Sequence, residues 1–349
     1  MNTSETAARI PPLRELLTVL GAGMALAIWT PDPASAGTVL KISTLAPEGS
    51  GWARALREMD ADLRAATDDA LKLRIYPGGV QGDEDVMLRK IRIGQLQGAA
   101  LGGTGVSRVC REVLALEMPF LFGGYDEIDY VLAQTEQEFK ALFLDQGFVL
   151  LGWADIGFVH LLSKDPVRGT GDLHGLKIWR LQGEPITEVL FEKAGVTSVP
   201  LAIPDVLLGL QTNLVDVVYA SPAAAIILQW FTRVGYYTEL PINYTLGAFV
   251  VHRKYYDGLS AEHQELLTRV AAARIGEHNL RGRGDNEEAL RIMRAEGLQP
   301  VVPTEADVAS FRSLVEESRP ELVGRAFSAP VYERILRHLG DFRGRRDGG

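Results

Sequence analysis

The sequence predicts an α/β protein of two lobes, each a mixed sheet flanked by helices, with strands and a long helix joining the lobes. Three observations carry this. Alternating stretches that suit strands and 3.6-period stretches that suit helices follow one another in βαβ order. That βαβ pattern occurs twice along the chain. No Pro- or Ser-rich linker divides the two occurrences, so any lobes must be joined by regular elements rather than a flexible tether.

The elements follow in order. Residues 38–43 (TVLKIS) alternate apolar and polar side chains and read as a strand. Glu48-Gly49-Ser50-Gly51 is a turn. Trp52, Leu56, Met59, Leu63 and Ala66 then fall at helical spacing, which predicts a helix to about Thr67. Residues 71–76 alternate strictly, and Pro77-Gly78-Gly79 ends that strand. Asp83-Glu84-Asp85 opens a helix, where acidic side chains suit the positive end of the macrodipole, and Gly94 stops it. Residues 97–101 form the next strand. In the second occurrence 196–201 is a strand, 204–211 a short helix with proline suited to its first turn, and 215–220 a strand, after which Trp230 is expected at the start of a further helix. Asp85-Val86-Met87-Leu88, Gly94 and the strand after it match Asp205-Val206-Leu207-Leu208, Asn213 and its strand. Gly94 and Asn213 both suit the left-handed conformation that closes many helices. The match predicts two copies of one unit, one per lobe; the general likeness of all βαβ units is the alternative. Between the copies, 148–153 and 158–163 read as strands, and 175–180 as another after a turn at 170–172. Residues 247–252 form a strand before a helix that Ser260 caps and that runs from Ala261 through Arg283.

Composition narrows the function. The chain has 349 residues, a formal net charge of −9 and one cysteine. That acidic balance argues against nucleic acid as partner. Cys110 alone can build neither an internal disulfide nor a cysteine zinc site, and reads as a lone buried thiol. Residues 1–36 have the layout of a secretory signal: Arg9 and Arg14, an uncharged stretch from Leu16 to Trp29, prolines 31 and 33, then Ala34-Ser35-Ala36. Cleavage after Ala36 and a periplasmic location are expected; an uncleaved N-terminal anchor is the alternative. No later stretch is long enough to span a bilayer, so the mature chain is not expected to cross a membrane.

Catalytic patterns are absent. There is no Gly-x-Ser-x-Gly and no Walker A loop, and the six histidines show no pair at metal-ligand spacing. His160 sits in an apolar strand and reads as a satisfied core histidine. The carboxylate pairs fall on amphipathic helices, where a solvated face is the default. No metal or cofactor is expected, and a binding protein is favoured over an enzyme.

Five blocks then make a family legible: Ser43-Thr44-Leu45-Ala46-Pro47, the run from Tyr76 to Glu84, the run from Leu116 to Phe122, the run from Asp172 to Ile178, and the run from Leu210 to Asp216. In order and spacing they resemble the DctP-type substrate-binding proteins of tripartite ATP-independent periplasmic (TRAP) transporters, over about Val39 to Leu339. The resemblance implies the two-lobed periplasmic binding protein fold, closing on a small ligand and delivering it to a permease of small and large membrane subunits. An enzyme or ligand-sensing domain on the same scaffold is the alternative. Three positions depart from the carboxylate-binding branch of the family. Trp179 and Val159 stand where the resemblance implies arginines, and Ser221 where it implies asparagine. Tryptophan after Gly175-Leu176-Lys177-Ile178, together with Gln229-Trp230-Phe231-Thr232, resembles a separate branch, although that branch has Gly-Asp-Pro where this chain has Gly183-Glu184-Pro185.

A buried carboxylate without a cationic partner is costly, so a more apolar or aromatic pocket is expected. The candidate ligand contacts are Trp179, Ser221, Trp52, Phe158, Arg180, Tyr219, Trp230 and Phe120, with core packing as the alternative role for the aromatic ones. Alternation along a strand should turn Arg180 away from Trp179. The expected domains are lobe I of 37–156 plus 247–286, lobe II of 157–246 plus 287–340, and a polar tail at 341–349.

Overall fold

A computed structural model describes residues 37–347, so the proposed signal peptide lies outside the described residues. The first unit is β1 (Thr38–Thr44), α1 (Gly51–Ala66), β2 (Leu71–Tyr76), α2 (Glu84–Arg92) and β3 (Gly98–Leu101). Then come α3 (Gly103–Val109), α4 (Tyr125–Asp145) and the long β4 (Phe148–Ser163). The second unit is β5 (Lys177–Leu181), α5 (Pro185–Lys193), β6 (Thr197–Leu201), α6 (Val206–Gln211) and β7 (Val217–Ala220). The remainder is α7 (Pro222–Ile227), β8 (Tyr236–Thr238), β9 (Asn243–His252), α8 (Arg253–Asp257), α9 (Ala261–Ala295), β10 (Gln299–Val301), α10 (Glu305–Arg325) and α11 (Ala329–Asp347).

Side-chain caps start several of these helices where the sequence places them. The side chains of Ser50, Asp83 and Ser260 accept hydrogen bonds from the backbone N–H of Ala53, Val86 and His263. Thr304 and Asp307 form a capping box at the start of α10. Gly94 (φ +83°) and Asn213 (φ +58°) both take the left-handed conformation after α2 and α6.

The two units share one topology. Strand β1 lies between β2 and β3, and β5 lies between β6 and β7, all in parallel pairs. The internal match in the sequence is therefore a repeat of β-α-β-α-β. The two sheets meet through β4 and β9. Strand β9 pairs antiparallel with β3 and with the first part of β4, whose last residues pair with β7 and β8. The fold is the mixed α/β, two-lobed arrangement expected.

Four expectations need correction. The segments 148–153 and 158–163 are one strand, β4, continuous through register shifts at Leu150/Gly152 and Asp155/Gly157. Glycine and Asp155-Ile156-Gly157 imitate a break but are bulges that bend a strand without ending it. Helix α9 continues past Arg283 to Ala295, despite Gly276, Gly282 and Gly284. Each glycine costs about 1 kcal/mol relative to alanine, and burial of Leu266, Leu267, Ala271 and Ile275 at one end and Met293 at the other outweighs that. Trp230 begins a single 3₁₀ turn, Trp230–Arg233, not a longer helix. Residues 341–347, expected as a polar tail, are helical, and α11 packs on α4. Phe342 lies 5.2 Å from Tyr130 between ring centroids, and Arg343 pairs with Glu127 at 2.8 Å. Among the described residues, no helix is long and apolar enough to cross a membrane.

Candidate ligand-binding cleft

A cavity of about 430 Å³ opens beyond the carboxyl ends of the parallel strands, where α/β sheets generally place their ligands. Thr44–Pro47 after β1, Leu101–Thr104 after β3, Leu181 and Glu184 after β5, and Ala220 and Ser221 after β7 line it. Ala154–Ile156 and Val159 of β4 and Asn243, Thr245 and Gly247 of β9 cross its floor, and His278, Asp285 and Asn286 of α9 face it. The lining therefore draws on both sheets and on all three elements that join them.

Six of the eight candidate residues line this cavity: Trp52, Phe120, Trp179, Tyr219, Ser221 and Trp230. Trp179 stacks on Tyr219 at 4.6 Å and meets Trp230 edge-on at 5.0 Å. Its Nε1–H donates to the carbonyl of Leu201 at 3.0 Å, so the ring is fixed in place and only 3% exposed. It is both wall and core. Tyr219 Oη accepts from the backbone N–H of Leu181 at 3.2 Å. Trp52 tilts against His278 at 4.9 Å, and burial lowers the pKa of that histidine. Phe120 has φ +59° and lies under the Arg312 guanidinium at 5.0 Å. Ser221 caps α7, its Oγ accepting from Ala224 N–H at 3.4 Å.

Two candidates do not line the cavity. Arg180 turns to the opposite face of β5, as alternation requires, and its Nη1 lies 3.7 Å from Glu188. Phe158 packs against Tyr125 and Tyr244 at 5.2 and 5.6 Å and borders a separate hollow. The bulge at Asp155/Gly157 separates Phe158 from the cavity floor, while Val159 stays in it.

The sequence reading missed the charged part of the site. Glu84, Glu117 and Glu184 line the cavity. Glu84 accepts from the N–H groups of Gly102 (2.5 Å) and Gly105 (2.7 Å) and so caps α3 from another helix. Glu184 caps α5, accepting from Ile186 and Thr187 N–H, each at 2.8 Å. Glu117 Oε1 accepts from Thr245 Oγ1 at 2.5 Å and Leu246 N–H at 3.2 Å. Burial is the main force on all three, pushing Glu84 and Glu117 up to about 7 and Glu184 upward against its own hydrogen bonds. Asp155 differs, because Arg283 pairs with it at 2.6 Å and Tyr244 donates to it. Lysine and arginine do not occur among the described lining residues. Glu84 could have been doubted as a solvated acid because of its neighbours Gly102–Gly105, but only the fold brings them to it. Outside the cavity, His160 is a satisfied core histidine, its Nδ1 2.9 Å from the Thr238 carbonyl, and Cys110 is buried.

Comparison with known proteins fits this geometry. The model of the bacterial extracellular solute-binding protein family 7, DctP, matches residues 42–323. The chain is 26% identical over 216 residues to the 2,3-diketo-L-gulonate-binding periplasmic protein YiaO of Escherichia coli, covering 60% of this chain and 64% of that protein. It is 24% identical over 342 residues to the C4-dicarboxylate-binding periplasmic protein DctP of Rhodobacter capsulatus, covering 94% and 95%. The crystal structure of a TRAP periplasmic solute-binding protein from Xanthobacter autotrophicus with bound β-D-galacturonate has the same fold. Its TM-score is 0.80 at 18% identity, over 86% of this chain and 99% of that one. With its repeated units, its cleft between them and a family match over most of its length, the chain belongs to the bacterial extracellular solute-binding proteins of family 7.

Proposed function

We propose that this protein is a periplasmic receptor that captures a small organic ligand in the cleft and delivers it to a TRAP-type permease of small and large membrane subunits. The observation that carries this is the cavity itself: about 430 Å³, lined from both sheets, walled by aromatic and aliphatic side chains. Trp52, Phe120, Trp179, Tyr219, Ser221 and Trp230 are the ligand contacts, with the aromatic group built round Trp179 as the main apolar wall. The ligand leaves chemically unchanged, since receptors of this family bind and release. Export uses residues 1–36, with cleavage after Ala36.

The proposed lobes are 37–156 with 247–286, and 157–246 with 287–328. Helix α11 joins the first lobe because Val331, Tyr332, Ile335 and Leu339 share a core with Ile128, Phe139 and Phe143 of α4. Ligand-dependent thermal stabilisation tests the receptor proposal. A rise in melting temperature with at least one small organic compound, recovered intact after incubation, supports it. Conversion of that compound by the purified protein would mean an enzyme on the same scaffold.

A further inference from the structure

Negative side chains outnumber positive ones in the described lining of the cleft. Of its acids, Asp155 is paired with Arg283, and Asp285 is exposed at the rim. Glu84 and Glu184 spend their oxygens on helix starts. Glu117 is different. It is 8% exposed, both of its hydrogen bonds fall on Oε1, and Oε2 accepts none from the described residues. That leaves, on a largely buried residue, a carboxylate oxygen open to the cavity with capacity to spare.

Three of the helix starts at the cavity are already occupied. Helices α3, α5 and α7 all begin at the cavity, and the N–H groups at a helix start are ready sites for an anion. Glu84 occupies the first, Glu184 the second, and Ser221 the third, where Asn286 Oδ1 also accepts from Ala223 N–H at 3.0 Å. A ligand carboxylate in this cleft would meet three glutamates and no lysine or arginine among the described lining residues, with only the first N–H groups of α1, at Gly51 and Trp52, left open to it. A buried carboxylate in such surroundings is strongly disfavoured.

We propose, on the footing of the receptor reading above, that the ligand carries a cationic nitrogen (an amine, amidine or guanidine) on an apolar or aromatic body, the nitrogen donating to Oε2 of Glu117 and the body lying along the Trp179 wall. The upward push on Glu117, from burial first and then from Glu184 and Glu84 nearby, is what a carboxylate lacking its counter-charge experiences. A bound cation supplies that charge, through the strong kind of hydrogen bond that an ionised donor and acceptor make.

Calorimetric titration with compounds that share a body and differ in the head group tests this: phenethylamine against 3-phenylpropionate, and tryptamine against indole-3-propionate. In at least one pair the amine should bind and its acid partner bind at least about tenfold more weakly, the scale of one lost charged hydrogen bond. Glu117→Gln keeps an acceptor for Leu246 N–H and removes the charge, and should weaken the amine by about tenfold or more. Equal or tighter binding of an acid, no binding by either amine, or an unchanged affinity in folded Glu117→Gln overturns the proposal. If that variant does not fold, the paired titration alone decides. A parallel thermal-shift screen of sugar acids, dicarboxylates, amino acids and amines separates the two levels. A shift with an acid and with no amine sinks the cationic ligand and leaves the receptor standing; no shift with any class counts against the receptor itself.

Discussion

At the scale of single residues, Trp179 and Arg180 are neighbours with opposite fates. Trp179 fills the space between Tyr219 and Trp230, so Trp179→Ala should destabilise the protein by about 3–5 kcal/mol, the usual cost of emptying a large aromatic site. Arg180 makes a long pair with a half-exposed Glu188 and fills less volume than the indole, so Arg180→Ala should cost less, about 1–2 kcal/mol. Urea melts of the two variants would show this, and equal losses would place the indole outside the core. The glutamates make a second expectation, about pH. Glu84 and Glu117 sit near 7 in the fold against 4.5 for a free carboxyl, and the groups facing Glu117 are Glu84 and Glu184, with no lysine or arginine among the described lining residues to oppose them. The folded state then holds more protons than the unfolded one between those values. Stability of the empty protein should fall as pH rises from about 4.5 to about 7, then level off, by on the order of 3 kcal/mol for each of the two carboxyls. Denaturant titrations across pH 5–8 would reveal it, and Glu117→Gln should flatten the slope. An empty protein that gains stability from pH 5.5 to 7.5 would contradict the burial of these charges.

At the scale of elements, the bulge in β4 is the point where sequence and structure diverge most usefully. Gly157 has φ +115°, and a Cβ there would stand 2.4 Å from Nδ2 of Asn286, which donates to the Ile156 carbonyl. Gly157→Ala should therefore cost more than about 1 kcal/mol, whereas Gly276→Ala, in open space on α9, should stabilise by about 0.4–1 kcal/mol. A Gly157→Ala variant that melts like the parent would mean the bulge can re-form without the glycine. Much at this scale was legible: β2 matches its alternating run residue for residue, and the caps of α1, α2 and α9 lie on or beside the turns read from the sequence. What was not legible depends on distant partners. Two short apolar runs look alike whether a turn or a bulge separates them, and only pairing with β9 decides. The same holds for the site. Aromatic side chains announce a wall, and Trp179, Tyr219 and Trp230 were readable. An acid in the first turn of α2 looks solvated until α3 is seen to start on top of it.

At the scale of the whole molecule, the connections between the sheets determine how the cleft can move. Strands β4 and β9 and helix α9 all pass from one half to the other, and all three contribute residues to the cavity. Such a joint cannot swing freely like a tether. It can bend where the backbone is already irregular, and β4 offers that place at the Asp155/Gly157 register shift, beside Asn286 of α9. A ligand touching both halves lowers the free energy of the closed arrangement relative to the open one, and only that difference shifts the population. A permease would then distinguish loaded from empty receptor by surface shape. Small-angle scattering should accordingly show a smaller radius of gyration with saturating ligand than without it. The ligand is whichever compound raises the melting temperature, and occupancy is confirmed by calorimetry on the same sample. Gly157→Ala, by stiffening the bulge, should reduce that contraction, provided the variant remains folded. Superimposable profiles for the empty and occupied protein would mean that the three crossings hold the halves rigid. Recognition by a membrane permease would then have to rest on something other than closure.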